Sequence, residues 1–304
     1  MLDVCLVGTG GMMPMPQRFL SSMLLRLNGK MILTDCGEGT QVSLKNIGWG
    51  FKNIDAIIFT HYHADHISGL PGMLLAIANA GRTEDLKLYG PSGLIFTVEG
   101  LRRITQELPF KIIYTELDDT KKSLFSIDGI NISAIGCKHS VRCMAYCFEV
   151  KRNGRFDVEK AKALNLPKEK WSVIQKQGAV DFNGKTYTSD MVMGANRKGI
   201  KLTYCTDSRP FAALTAMAEQ SDLFVCEGMY GENDKKPKAV ENKHMLFSEA
   251  AKMAKEANVK ELWLTHFSPS LSEPAEFLKN ASGIFDKTVI GYDGMKKTIL
   301  FEEQ

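Results

Sequence analysis

The chain has 304 residues, of which 44% are hydrophobic and 24% charged, with 38 Lys+Arg against 35 Asp+Glu. This composition excludes disorder as the dominant state, along with collagen-like and low-complexity architectures. The net charge of +3 is too small to announce nucleic acid or membrane by itself, and no apolar run approaches the roughly 20 residues that a membrane span needs. The opening Met1-Leu2-Asp3-Val4 reads at once as strand, without the basic and apolar regions of a signal peptide.

In chain order, β-rich runs predict strands over residues 3–7, 22–27, 31–34, 56–60, 86–89, 130–135, 145–150, 201–205, 223–226, 262–265 and 298–301. Apolar residues at three-to-four spacing predict helices over 39–46, 71–80, 94–107, 210–220, 247–257 and 275–279. Interleaved strands and helices of this kind predict two packed sheets covered by helices. A single domain over 1–304 is expected, with 151–201 as a basic insertion within it. That segment holds 12 Lys/Arg and 5 Asp/Glu, a balance of +7, which leaves −4 for the remainder of the chain. The seven cysteines are spread without any Cys-x-x-Cys, which argues against a disulfide framework and predicts a reducing cytoplasm.

The densest chemistry is Thr60-His61-Tyr62-His63-Ala64-Asp65-His66, directly after the strand-like Ile57-Ile58-Phe59. Packing does not explain four His or Asp residues among six positions, because each buried polar group would need its own partner. Neutral imidazoles suit zinc, at Zn–N distances of about 2.0–2.1 Å, and a carboxylate adds an oxygen ligand. His139, Asp207 and His266 each follow a predicted strand. Taken singly they also read as a loop histidine, a helix N-cap and a turn residue.

The cluster resembles the signature of the metallo-β-lactamase superfamily, which implies an α/β fold, a four-layer αββα sandwich. By that resemblance His61, His63 and His139 hold one zinc, Asp65, His66 and His266 a second, and Asp207 bridges them; Mn or Fe also occupies such His/Asp sites. Two dications about 3.5–4 Å apart need a shared anion to offset their repulsion. Within the superfamily several stretches resemble ribonuclease Z, the endonuclease that trims the 3′ trailer of precursor tRNA. They are Leu6-Val7-Gly8-Thr9-Gly10-Gly11, Asp35-Cys36-Gly37-Glu38-Gly39-Thr40-Gln41, Ser68-Gly69-Leu70-Pro71-Gly72, Lys138-His139-Ser140, Thr206-Asp207-Ser208-Arg209-Pro210 and Leu264-Thr265-His266-Phe267-Ser268.

This resemblance implies hydrolysis of precursor tRNA through a metal-bound hydroxide, with Asp65 accepting a proton. His244, assisted by Glu227, would protonate the leaving 3′ oxygen. Asp35 would orient a ligand imidazole, although an N-cap for the 39–46 helix is an alternative. In the basic segment, Lys168, Lys170 and Lys176 would contact phosphates and Trp171 would stack a base; a solvated basic insertion is the plain alternative. The family also implies a homodimer. Two other readings stay open: hydrolysis of a small phosphodiester, lactone or thioester at the same site, and a non-catalytic nucleic-acid-binding relative. A full set of seven ligands argues against the last.

Overall fold

The computed structural model describes residues 1–195 and 197–302. The strands are β1 (Leu2–Gly8), β2 (Ser22–Leu27), β3 (Lys30–Thr34), β4 (Ile54–Ile58), β5 (Leu86–Pro91), β6 (Ile112–Leu117), β7 (Ser123–Ile127), β8 (Ile130–Gly136), β9 (Met144–Arg152), β10 (Ala179–Phe182), β11 (Lys185–Thr188), β12 (Arg197–Cys205), β13 (Leu223–Glu227), β14 (Leu262–Thr265), β15 (Thr288–Ile290) and β16 (Lys296–Ile299). The helices are α1 (Thr40–Ile47), α2 (Ala64–Ile67), α3 (Leu70–Asn79), α4 (Leu94–Leu101), α5 (Val158–Ala163), α6 (Lys168–Gln177), α7 (Ala212–Ala218), α8 (Lys236–Glu241), α9 (Phe247–Glu256) and α10 (Lys279–Ser282).

Contacts divide the chain into two units, Met1–Val150 with Ile200–Leu300, and Lys151–Gly199 with Phe301 and Glu302. The larger unit holds two seven-stranded sheets, ordered β16-β1-β2-β3-β4-β5-β6 and β15-β14-β13-β12-β9-β8-β7. From β3 to β6, and from β12 to β15, neighbouring strands run parallel. All five residues of β4 and all four of β14 are buried, as expected of parallel strands covered on both faces.

Side chains alternate across each sheet. One face of the first sheet packs Val7, Leu33 and Ile57 against Leu44 of α1, Leu70 and Leu74 of α3 and Leu94 of α4. The second packs Phe224, Cys226 and Leu264 against Leu214 of α7 and Phe247, Ala250 and Ala254 of α9. Alternate residues such as Leu6, Ile32 and Ile58 are equally buried and point the other way, toward the second sheet. Tyr146 in β9 donates to the Phe59 carbonyl beyond β4 at 2.6 Å, and Tyr89 of β5 stacks on Phe125 of β7 at 4.7 Å. The architecture is a four-layer αββα sandwich.

Some local expectations shift. The helix expected over 94–107 stops at Leu101 and passes into the single 3-10 turn Arg102–Ile104, because Ile104, 79% exposed, has no core to face. The strands β6 and β7 were not expected from the sequence. Both are sheet edges with mixed burial, which dilutes the alternation that would reveal them.

The smaller unit builds its own apolar cluster from Ala161, Leu166, Ile174, Val180, Tyr187 and Val192, with the β10–β11 hairpin paired antiparallel. Trp171 belongs to this cluster. Its indole N–H donates to the Leu166 carbonyl at 2.8 Å, and its ring lies 5.4 Å from that of Phe156. Trp171 is half-buried. Lys168 and Lys176 are exposed and Lys170 half-buried.

Candidate metal centre

The site assembles where strands of both sheets end. Asp35 follows β3, His61 follows β4, Asp207 follows β12, His266 follows β14, and Glu227 is the last residue of β13. Carboxyl ends of parallel strands are where open α/β sheets carry their ligands. Asp35, Asp207 and His266 have φ of 59°, 51° and 58°, a left-handed conformation that costs a non-glycine residue roughly 1–2 kcal/mol. Each turn swings its side chain off the strand axis, and that strain collects at the site.

The turn after β3 and the loop carrying His61–His66 are locked together by backbone. Cys36 N–H donates to the His66 carbonyl at 2.7 Å, and Gly69 N–H to the Cys36 carbonyl at 3.0 Å. A Cβ at Gly37 would lie 2.0 Å from the Asp65 carbonyl oxygen, and one at Gly69 only 1.9 Å from that of Gly37. Both positions therefore need glycine for close approach of the two loops.

All six histidines of the chain gather here. Their ligand atoms fall into two sets. In one, His61 Nε2 lies 3.0 Å from His63 Nδ1, His139 Nε2 lies 3.4 Å from the same atom, and Asp207 Oδ2 is 3.8 and 3.7 Å from His61 and His139. In the other, His66 Nε2 and His266 Nε2 are 3.2 Å apart, each 3.1–3.2 Å from Asp207 Oδ1 and 3.5–3.6 Å from Asp65 Oδ2. Asp207 thus offers one oxygen to each set.

The donor chemistry fits metal ions. His61 Nδ1 lies 3.0 Å from Thr60 Oγ, which itself donates to Asp35, and His66 Nδ1 lies 2.9 Å from Asp35 Oδ2. With those Nδ1 atoms carrying the protons, both Nε2 atoms present lone pairs. Lone pairs facing one another at about 3 Å repel unless a cation lies between them. A tetrahedral ion with ligands at about 2.0–2.1 Å has edges near 3.3–3.4 Å, close to the observed spacings. Asp207 Oδ1 and His266 Nδ1 are buried without a hydrogen-bond partner, and an orphaned carboxylate oxygen of this kind calls for an ion.

The pKa shifts have the same origin. Burial pushes His61 and His139 down. Burial also opposes protonation of His66, but Asp207 and Asp35 overcome it and raise that imidazole. For Asp65 and Asp207, burial works against ionisation, yet the surrounding imidazoles, His266 foremost, hold both carboxyls below the usual range.

Asp35 is buried and accepts from Thr60 N–H at 2.7 Å and Thr60 Oγ at 2.8 Å besides its contact with His66. It does not cap α1, whose N-cap is Gly39, and Asp207 does not cap α7, whose N-cap is Phe211. Asp35→Asn should cost metal affinity about 10–100-fold, the usual effect of losing the group that orients a ligand imidazole. A competitive chelator titration measures this, and unchanged affinity would remove the orienting role.

Beside the metal-ligand sets, His244 Nδ1 lies 3.1 Å from Glu227 Oε2 and 3.9 Å from Asp207 Oδ2. Glu227 is buried and also accepts from the N–H groups of Ser208 and Met245. Burial alone would lower the His244 pKa, and the Glu227 carboxylate reverses this, raising it to about 9. A pocket of about 370 Å³ is lined by His63, Asp65, His139, Asp207, His244 and His266, with Met12, Tyr230 and Asn242 among its other walls. Two contributors have no signal in the sequence: Thr60, which links Asp35 to His61, and Met12, whose N–H donates to Asp65 Oδ2 at 2.7 Å. Lys168, Lys170, Trp171 and Lys176 belong to the smaller unit.

The sequence profile of the family of the anti-Pycsar protein Apyc1 matches residues 2–157. Ribonuclease Z of Clostridium acetobutylicum is 53% identical over 307 residues, covering 99% of this chain and 99% of that protein. Ribonuclease Z of Clostridium kluyveri is 52% identical over 303 residues, covering 100% of each. Among solved structures, the short form of human tRNase Z superposes with a TM-score of 0.71 at 22% identity, over 98% of this chain and 100% of that one. The metallo-β-lactamase fold protein YhfI of Bacillus subtilis gives 0.70 at 20% identity, over 97% and 98%. The structural likenesses fix the metallo-β-lactamase fold, and full-length identity above one half places this chain in the ribonuclease Z family of metal-dependent endoribonucleases.

Proposed function

We propose that the chain removes the 3′ trailer of precursor tRNA as a two-zinc endoribonuclease. The observation that carries this reading is the juxtaposition of two donor sets sharing Asp207 with the His244–Glu227 pair, beside a pocket that members of both sets and His244 line. Naming the substrate draws on the ribonuclease Z relatives. His61, His63, His139 and Asp207 would hold one ion, and Asp65, His66, His266 and Asp207 the other. When bound, such a pair supplies Lewis acidity and lowers the pKa of water toward neutrality.

The protein's own groups do the rest. Asp65 accepts the proton released as water attacks phosphorus. Glu227 holds His244 Nδ1, so that Nε2 is free to donate a proton to the leaving 3′ oxygen. One P–O bond forms from water and the P–O3′ bond breaks, leaving a 3′ hydroxyl on the tRNA and a 5′ phosphate on the trailer. The +7 segment serves as a substrate-gripping arm within a single functional domain, with Lys168, Lys170 and Lys176 on phosphates. All seven cysteines are free thiols, which supports a reducing cytoplasm, and no helix among the described residues is long and apolar enough to cross a membrane. A homodimer completes the proposal.

The second reading, hydrolysis of a small phosphodiester, is favoured by the pocket of about 370 Å³, large enough for a mononucleotide. Salt separates the two. Cleavage of precursor tRNA at subsaturating substrate, held by three lysine–phosphate contacts, should fall by about 20- to 40-fold between 50 and 200 mM salt. Hydrolysis of bis(p-nitrophenyl) phosphate should barely respond. Intact precursor tRNA alongside brisk small-ester hydrolysis would reject the tRNA reading.

A further inference from the structure

His244 sits on a segment with little regular structure of its own, between α8 and α9. Glu227 holds its imidazole and also accepts the N–H of Met245. A second carboxylate, Glu249, acts on the same backbone through Arg209. The Arg209 guanidinium forks onto Glu249, with Nη1 2.8 Å from Oε2 and Nη2 2.5 Å from Oε1, and its Nη1 also donates to the His244 carbonyl oxygen. Glu249 Oε2 in turn accepts the N–H of Leu246 at 3.0 Å. One ion pair therefore grips the segment on both sides of Met245.

The same arginine ties this segment to the metal ligands. Arg209 N–H donates to the Lys138 carbonyl at 3.0 Å, next to His139. Its neighbour Ser208 accepts from Lys138 N–H at 3.1 Å and donates its own N–H to Glu227 Oε1. Ser208 and Arg209 thus bond to Glu227, to the His244 carbonyl and to Lys138, and lie next in the chain to Asp207 as Lys138 does to His139. Both members of the ion pair are largely buried, at 15% and 12% side-chain exposure, so solvent screens it little.

We infer that Arg209 and Glu249 are positioning residues that set the distance between His244 and the leaving oxygen. The inference rests on the reading of His244 as proton donor. It requires arginine specifically: a planar fork satisfies both carboxylate oxygens and a carbonyl at once, whereas a lysine ammonium cannot span them. A displacement of about 1 Å at a reacting group can cost 10²-fold in rate.

The test varies the leaving group. Zinc-loaded full-length protein is given precursor tRNA with the natural 3′ oxygen at the scissile phosphate, and the same RNA with a bridging 3′ sulfur, whose thiolate departs without a proton. Arg209→Lys should lower the single-turnover rate on the oxygen substrate roughly 10- to 100-fold, with KM and zinc content unchanged. On the sulfur substrate it should run near the wild-type rate. Glu249→Gln should show the same selectivity with a smaller loss, and it carries the test if Arg209→Lys fails to fold. Equal losses on both substrates, a raised KM, or loss of zinc in the folded variants would overturn the inference. His244→Ala separates the two levels. If it loses both substrates equally, the proton-donor reading fails; if it is selective and neither Arg209→Lys nor Glu249→Gln is, only the positioning inference fails.

Discussion

Asp207→Ala should bind fewer than two metal ions per chain and lose about 10³-fold or more in turnover, the several kcal/mol that Lewis-acid stabilisation supplies. The effect is large because both donor sets depend on this one residue. Its Oδ1 lies 3.1 Å from His266 Nε2 and 3.2 Å from His66 Nε2, while Oδ2 faces His61 and His139. Two dications about 4 Å apart repel by about 4 kcal/mol even at the dielectric constant of water. Without the shared anion, that repulsion falls on neutral imidazoles and Asp65 alone. Metal analysis of the purified variant, beside a thermal melt, gives the result directly. Two ions retained with wild-type turnover would show that Asp207 does not bridge.

His244→Ala should lower kcat by about 10²–10⁴-fold, the usual worth of a general acid, while metal content stays as in the parent. His244 also falls in a third group of potential ligands with Asp207 and His266, so the alternative role is concrete. The geometry argues against ligation, because His244 Nδ1 is 3.1 Å from Glu227 but 3.9 Å from Asp207. An Nδ1 bond to a carboxylate does not by itself separate donor from ligand, since His66 makes the same bond to Asp35; what sets His244 apart is that two donor groups form without it. Metal loss in this variant would reassign the residue to the centre itself.

The residues that hold chemistry were legible because their types are rarely used for anything else in such density. Three imidazoles and a carboxylate within the six residues from His61 to His66 have no packing rationale, and the other members could be located by what precedes them, a buried apolar strand. The division of labour between Thr60 and Asp35 was not legible. A threonine before a histidine carries no signal, and only the approach of β3 to β4 brings its hydroxyl within 2.8 Å of Asp35. The packing of Trp171 was equally illegible. Amid lysines the residue resembles a base-stacking one, and in the fold its N–H and ring are engaged by Leu166 and Phe156. Arg209 reads as one cation among many until its fork onto Glu249 is seen.

Residue type, periodicity and local spacing in the sequence pointed to interleaved strands and helices and to a metal-seeking His/Asp cluster, and the resemblance of its motifs implied the fold class and the family. The tertiary structure supplied the distances, with one Asp207 oxygen near each group of donors, and the grip on His244 by Glu227 and, through Arg209, by Glu249. The physical reason is range. Periodicity and motif spacing are set by neighbours along the chain. The pairing of His66 with His266, 200 positions away, and the left-handed turns at Asp35, Asp207 and His266 exist only because two sheets pack face to face and bring their strand ends to one point.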